Sequence, residues 1–437
     1  MARAPPNNRF DAWPRFRAGF KSISVSFLNQ GVSSATSFGI ALLLLRWLTP
    51  SEYGAYGIGM SICYFYAGAG NALLPTQMVV HLPEKAEQER LPYAARIFCA
   101  LLLLCAGSMG LVGLGGLGSI AIALRFVPEA QFAFAVAAAS TLFLLKDFFV
   151  RLAYSVRREQ LALLVNVTIA ATAGVILLAV RSAGIRLTTS SALMIFAFSQ
   201  AGGCAAGLFL YGLPLRSVRW RPLVADAVEC WTHGRWALGV VGINWVQTQA
   251  YAYVTLLSLG AAAVGRANAG RLLISPFLLL VTAVNQLVVP RLAELRITGS
   301  ASMLRAGRWI TAVSVAAGAL YSAALLAGSD SIVPALLGPS YSQMFPLAFA
   351  WCVALLSMLL RDGMTNVLVA SKRFRALTYA NLGGAAAALG GVFILIRLLG
   401  APGAIVGTAV GDVVLAILLW NAAVPDPVPA ALAEPRA

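Results

Sequence analysis

Between Lys21 and Trp420 the chain alternates long apolar blocks with short polar breaks. Each block is about 20 residues long. A helix rising about 1.5 Å per residue needs about that many to cross a hydrocarbon core of about 30 Å. A helix on the surface of a soluble core would show a polar stripe at every turn, and these blocks mostly do not. The pattern predicts twelve spanning helices over residues 22–45, 53–74, 95–118, 127–149, 161–180, 188–212, 237–258, 262–288, 309–328, 343–367, 376–397 and 402–421.

Composition supports the same class. Of 437 residues, 59% are hydrophobic and 11% charged, against about 45–50% and about 25% in soluble domains. Twelve spans fix both termini on one side, and the basic residues choose which. Arg3, Arg9, Arg15, Arg17 and Lys21 precede the first span, and Arg151, Arg157 and Arg158 follow the fourth. Arg216, Arg219, Arg221 and Arg235 lie between the sixth and seventh, and Lys372, Arg373 and Arg375 between the tenth and eleventh. The opposite loops hold few, notably Arg125, Arg181 and Arg186. This asymmetry places both termini in the cytoplasm. The net charge of +16 then reflects orientation and contact with anionic membrane lipids. No polar domain exists to carry a nucleic-acid patch, so no nucleic acid is expected as a partner. The first apolar block is too long for a signal peptide and is expected to be retained. The six cysteines are scattered without a CxxC and read as small buried apolar residues, with no metal site.

The halves repeat each other in register. Leu144-Leu145-Lys146-Asp147 matches Leu359-Leu360-Arg361-Asp362, and Ser155, Arg157 and Leu161 match Ser371, Arg373 and Leu377. Leu48, Gly54 and Gly59 match Leu259, Gly265 and Gly270. An even number of spans separates the copies, so the repeats are parallel, related by an axis along the membrane normal. The expected fold is all-α and polytopic: two pseudo-symmetric six-helix bundles around a central cavity, which rocking would expose to each side in turn. The expected divisions are a basic N-terminus (1–21), a first bundle (22–212), a cytoplasmic linker (213–236), a second bundle (237–421) and a disordered Pro/Ala-rich tail (422–437). A static scaffold is the alternative.

The segment Leu42–Ile62, LLLLRWLTPSEYGAYGIGMSI, resembles the hallmark of bacterial polysaccharide and oligosaccharide (Wzx-like) flippases. These share a superfamily with multidrug (MATE) exporters and lipid II flippases. Val264–Leu295, Leu336–Cys352 and Gly400–Asp412 also resemble family elements, so the likeness covers almost the whole chain. Where the family commonly has an aromatic residue near Ala267, this chain has Arg266-Ala267. The resemblance implies a flippase of the bacterial inner membrane. Its cargo would be an oligosaccharide on undecaprenyl pyrophosphate, moved from inner to outer leaflet. A polymerase and other polysaccharide assembly proteins would be its partners, for O-antigen, capsule or exopolysaccharide. No cofactor is implied.

Such a cargo needs a polar, cation-lined path. Charges within spans are costly and usually face a cavity or a partner. Arg271 lies deepest among the cations and is the leading phosphate-binding candidate, since guanidinium forks match phosphate oxygens. Its alternative is snorkelling or bonding a backbone carbonyl. Arg46 and Arg266, nearer the interface, are further candidates, with snorkelling the leading role for each. Asn244, Gln247, Gln249, Asn285 and Gln286 either line a sugar site or hydrogen-bond between helices. Lys146-Asp147 and Arg361-Asp362 are adjacent in sequence and point about 100° apart on a helix. They are expected to pair crosswise between the halves as a gate, or to form edge clusters. Asp412 is the only carboxylate deep in an apolar span, either an ion site or a partner for a nearby cation.

Two other classes compete. A cation-coupled multidrug exporter of the same superfamily would carry acids in its first bundle, yet no acid lies between Lys21 and Glu52. A membrane glycosyltransferase or polymerase would need polar loops with catalytic acids or histidines. The chain has two histidines, His81 and His233, and no GxxxxGK[ST].

Overall fold

The computed structural model describes residues 12–113, 130–298, 300–341, 343–371 and 373–423. Twelve helices of 23 to 40 residues account for most of them. In chain order these are α1 (Ala12–Trp47), α2 (Pro50–Leu73), α3 (Glu87–Gly113), α4 (Ala130–Ser155), α5 (Glu159–Ser182) and α6 (Thr189–Tyr211). They continue with α7 (Trp220–Leu259), α8 (Ala261–Thr298), α9 (Ser300–Ala327), α10 (Phe345–Ala370), α11 (Phe374–Leu399) and α12 (Ala401–Ala423). Short helices at Pro75–His81 and Ser329–Leu337 interrupt the sequence. The expected all-α polytopic class therefore stands.

Ten of the twelve are long and apolar enough to cross a membrane. The exceptions are α2 and α7, for a physical reason. Helix α2 is rich in Gly and Tyr, and α7 carries Arg221, Asp226, Glu229, His233 and Arg235 before Asn244, Gln247 and Gln249. The expected linker 213–236 is largely helical here, since Trp220–Leu259 is one continuous helix.

Local signals set the helix ends. Thr49 and Glu52 form a reciprocal cap: the Thr49 amide donates to the Glu52 carboxylate at 2.9 Å and the Glu52 amide to Thr49 Oγ1 at 3.3 Å. Pro50 occupies the first helical position, where no amide is needed. This is the physical content of the LTPSEY sequence. A Thr188/Ser191 box opens α6, and Gly212, at φ 54°, closes it in the left-handed region.

The residues cluster into two compact units. Unit 1 holds residues up to Ile40 and Ile62–Leu238; unit 2 holds Ala41–Ser61 and Gly239 onward. In unit 1, Phe98, Phe148 and Phe149 pack with ring centres 5.1 to 5.4 Å apart, and Gly207 of α6 leaves room for the Phe149 ring. The first half of α7 lies on this unit. Cys230 is fully buried with its sulfur 3.9 Å from Tyr93 Oη, and burial pushes the Cys230 thiol up to about 11.

In unit 2, Gly403, Gly407 and Gly411 line one side of α12. They meet α11 at Leu395, at Gly391–Val392 and at Gly384 and Ala388 respectively, so closely that a Cβ would collide there. Small residues at this spacing let membrane helices approach at backbone distance. A second close approach joins α2 to α8. A Cβ on Gly54 would strike the carbonyl of Ala261, and one on Gly265 would strike the carbonyl of Pro50. These positions are the repeat-matched glycines. Pro50 precedes Gly54 by the same four residues that separate Ala261 from Gly265, so the contact is reciprocal.

Candidate functional site

Four helices of unit 2 enclose a cavity of about 240 Å³. Helix α7 contributes Gln247, Thr248 and Tyr251. Helix α8 contributes Arg271, Leu278, Val281, Thr282 and Asn285. Helix α10 contributes Trp351, Met358, Arg361 and Asp362, and α12 contributes Thr408 and Asp412. The spacing explains the convergence. Arg271, Leu278, Thr282 and Asn285 recur at intervals of seven, four and three, which keeps them on one helix face. Thr408 and Asp412 are one turn apart on α12.

An ion cluster anchors one wall. Arg361 donates through Nη1 to Asp412 Oδ1 at 2.7 Å and through Nη2 and Nε to Asp362 Oδ1 at 2.9 and 3.0 Å. Gln247 Nε2 adds a bond to Asp412 Oδ1 at 3.0 Å. Asp412 is 2% exposed. A carboxylate that dry persists only with such partners. Asn366 Nδ2 donates to Asn285 Oδ1 at 2.9 Å.

The facing wall holds a cation of different standing. The Arg271 guanidinium lies 5.8 Å from the centre of the Trp351 ring, within cation–π range. No carboxylate lies within 4.0 Å of it among the described residues. Trp351 is held firmly: its indole N–H donates to the Ala267 carbonyl at 2.7 Å, Tyr251 meets it edge-on at 5.4 Å, and Gly270 leaves space for its ring. Tyr251 in turn donates to Asn268 Oδ1 at 2.7 Å. The cavity thus combines a guanidinium bridged by carboxylates and one with no carboxylate partner among the described residues with amides and hydroxyls.

Of the residues singled out from sequence, Gln247, Arg271, Asn285, Arg361, Asp362 and Asp412 come together here. Four others do not. Arg46 is committed to backbone, donating to the Ala335 and Leu336 carbonyls at 2.6 and 3.1 Å. It thereby caps the C-terminal end of the short Ser329–Leu337 helix, where a cation is favoured. Arg266 is exposed, on a different face of α8 from Arg271. Asn244 is exposed, and Gln249 lies outside the lining residues. The side chain of Gln286 lies outside the described residues.

Lys146 and Asp147 form their own cluster in unit 1. Lys146 Nζ lies 3.2 Å from Asp147 Oδ1, Asn71 Nδ2 donates to Asp147 Oδ2 at 2.8 Å, and Arg151 Nε lies 3.8 Å away. The expectation that adjacent residues avoid each other is corrected in both places: Lys146 pairs with Asp147 and Arg361 with Asp362. The angular separation fixes the Cβ directions only, and the long flexible stems of lysine and arginine curl back across it.

Sequence reasoning missed Trp351, Asn366 and Thr408, which carry no charge to mark them.

No protein-family profile matches the chain, and no curated protein matches it by sequence. Solved structures do match. An inward-facing multidrug-resistance MATE transporter superposes with a TM-score of 0.70 at 12% identity, over 91% of this chain and 97% of that one. The lipid II flippase MurJ, in an inward closed conformation, gives 0.71 at 12% identity over 93% and 86%. The fold is that of these solved transporters. A eukaryotic MATE transporter belongs to the same set, at 0.63 and 14% identity over 93% and 95%. The cavity sits among the seventh, eighth, tenth and twelfth long helices, within unit 2. The chain is a multi-pass membrane protein of this fold.

Proposed function

We propose that this protein is a flippase for a lipid-linked oligosaccharide, working by alternating access in a bacterial inner membrane and serving surface polysaccharide biosynthesis. The observation that carries the proposal is Arg271. It faces the unit 2 cavity with an aromatic neighbour and no acidic partner among the described residues, so it is the cation open to an incoming anion. A pyrophosphate offers that anion, and guanidinium forks match its oxygens. Thr248, Thr282 and Asn285 line the same cavity and offer hydrogen-bonding groups of the kind sugars require. The MurJ neighbour is by name a lipid II flippase, whose cargo class agrees with this reading.

One observation favours a second reading, a cation-coupled multidrug exporter. Asp362 and Asp412 share a single guanidinium, and the surplus carboxylate is a place for a cation.

Binding to the purified protein separates the two. An undecaprenyl-pyrophosphate oligosaccharide should bind the wild type. Arg271→Ala should weaken that binding by about 10- to 100-fold, the worth of about 1.5–3 kcal/mol for a charged hydrogen bond. Arg271→Lys should restore only part, having charge without the fork. Unchanged glycolipid binding in Arg271→Ala, together with tight binding of cationic drugs, would favour the exporter.

A further inference from the structure

Helix α7 is 40 residues long, about 60 Å, or twice what a hydrocarbon core requires. Its second half supplies Gln247, Thr248 and Tyr251 to the cavity. Its first half, from Trp220 to Trp236, belongs to unit 1 and has two very different faces. One face is fully engaged. Leu223 and Cys230 are buried, Asp226 pairs with Arg96, and Gly234 abuts the backbone of Ala72 and Leu73.

The other face has no protein covering it among the described residues of unit 1. Trp220, Val224, Val228 and Trp231 are 66, 38, 56 and 51% exposed. They fall within about 80° of helical arc. Around this stripe stand Arg216, Arg219, Arg221 and Arg235, all exposed and none in an ion pair among the described residues. The exposed acid of the segment, Glu229, points about 100° away from Val228 around the helix.

We propose that this face is a binding seat for anionic phospholipid, with the guanidinium groups on headgroup phosphates and the indoles and valines at the glycerol and upper acyl level. A tryptophan-bearing apolar stripe flanked by arginines is what an interfacial helix needs to lie in an anionic leaflet. Arginine's fork and weak hydration suit it to phosphate at such a boundary. A second copy of the chain is a poorer occupant, because twofold pairing of this face would set the same arginines against one another. The seat is independent of what the unit 2 cavity carries.

The test uses the full chain in lipid nanodiscs, with Val228→Cys carrying an environment-sensitive fluorophore. Brominated phosphatidylglycerol should quench this label more than brominated phosphatidylcholine at equal fraction, and added salt should reduce the difference. Combined Arg216→Gln, Arg219→Gln and Arg221→Gln should abolish the preference, at about fivefold in relative affinity per arginine. The matching lysine triple variant, which keeps the charge, should retain most of it. Equal quenching by the two lipids would overturn the proposal. So would quenching by aqueous iodide alone, or disulfide cross-linking between copies of the unlabelled Val228→Cys variant.

Discussion

Asp412 sits at the end of a chain of dependence. It is nearly inaccessible, and it is tolerable there because Arg361 and Gln247 satisfy one of its oxygens. Removing it strands a guanidinium that would keep only Asp362, whose side chain is 30% exposed. Asp412→Ala should therefore cost about 3–5 kcal/mol, the penalty for breaking a buried pair. Asp362→Ala should cost nearer to about 1 kcal/mol, because its partner keeps Asp412 and its own site is wetter. Unfolding of the two purified variants in one detergent checks the order, and equal losses would show that Asp412 is not the anchor. At this scale the sequence was half legible. A charge in an apolar span announces its own cost, so Arg271, Arg361 and Asp412 stood out. Their grouping did not, because no periodicity relates residues on different helices. For Arg46, read first as snorkelling and second as a cargo contact, the true partners were hidden for the same reason: the carbonyls it serves are nearly 300 positions away.

At the level of elements, the hydrophobic pattern located all twelve long helices. It could not show that α7 begins far outside a membrane-length segment, because a basic, tryptophan-bearing stretch also reads as a linker. The glycine matches between the halves were short as sequence. In the fold they gain a reason: Gly54 and Gly265 are the two positions where α2 and α8 touch main chain to main chain. Gly54→Ala and Gly265→Ala should each destabilise unit 2 by about 1–3 kcal/mol through overpacking. One displacement of the helices relieves both, so the double variant should cost less than the sum of the singles. Strict additivity in denaturation would place the two glycines in separate contacts.

For the whole molecule, the fold is shared at 12–14% identity with multidrug-resistance MATE transporters and a lipid II flippase. Fold alone therefore does not choose the cargo, and the choice rests on the side chains of one cavity. There the two arginines differ: Arg361 is held by two carboxylates, and Arg271 lies beside Trp351 with no carboxylate partner among the described residues. The direct measurement is the leaflet distribution of lipid-linked glycan in cells lacking this chain, complemented with wild type or with Arg271→Ala. Accumulation on the cytoplasmic face, cured by wild type but not by a stably expressed Arg271→Ala, is the predicted result. Normal outer-leaflet glycan in the deleted cells, with altered efflux of cationic dyes, would contradict it.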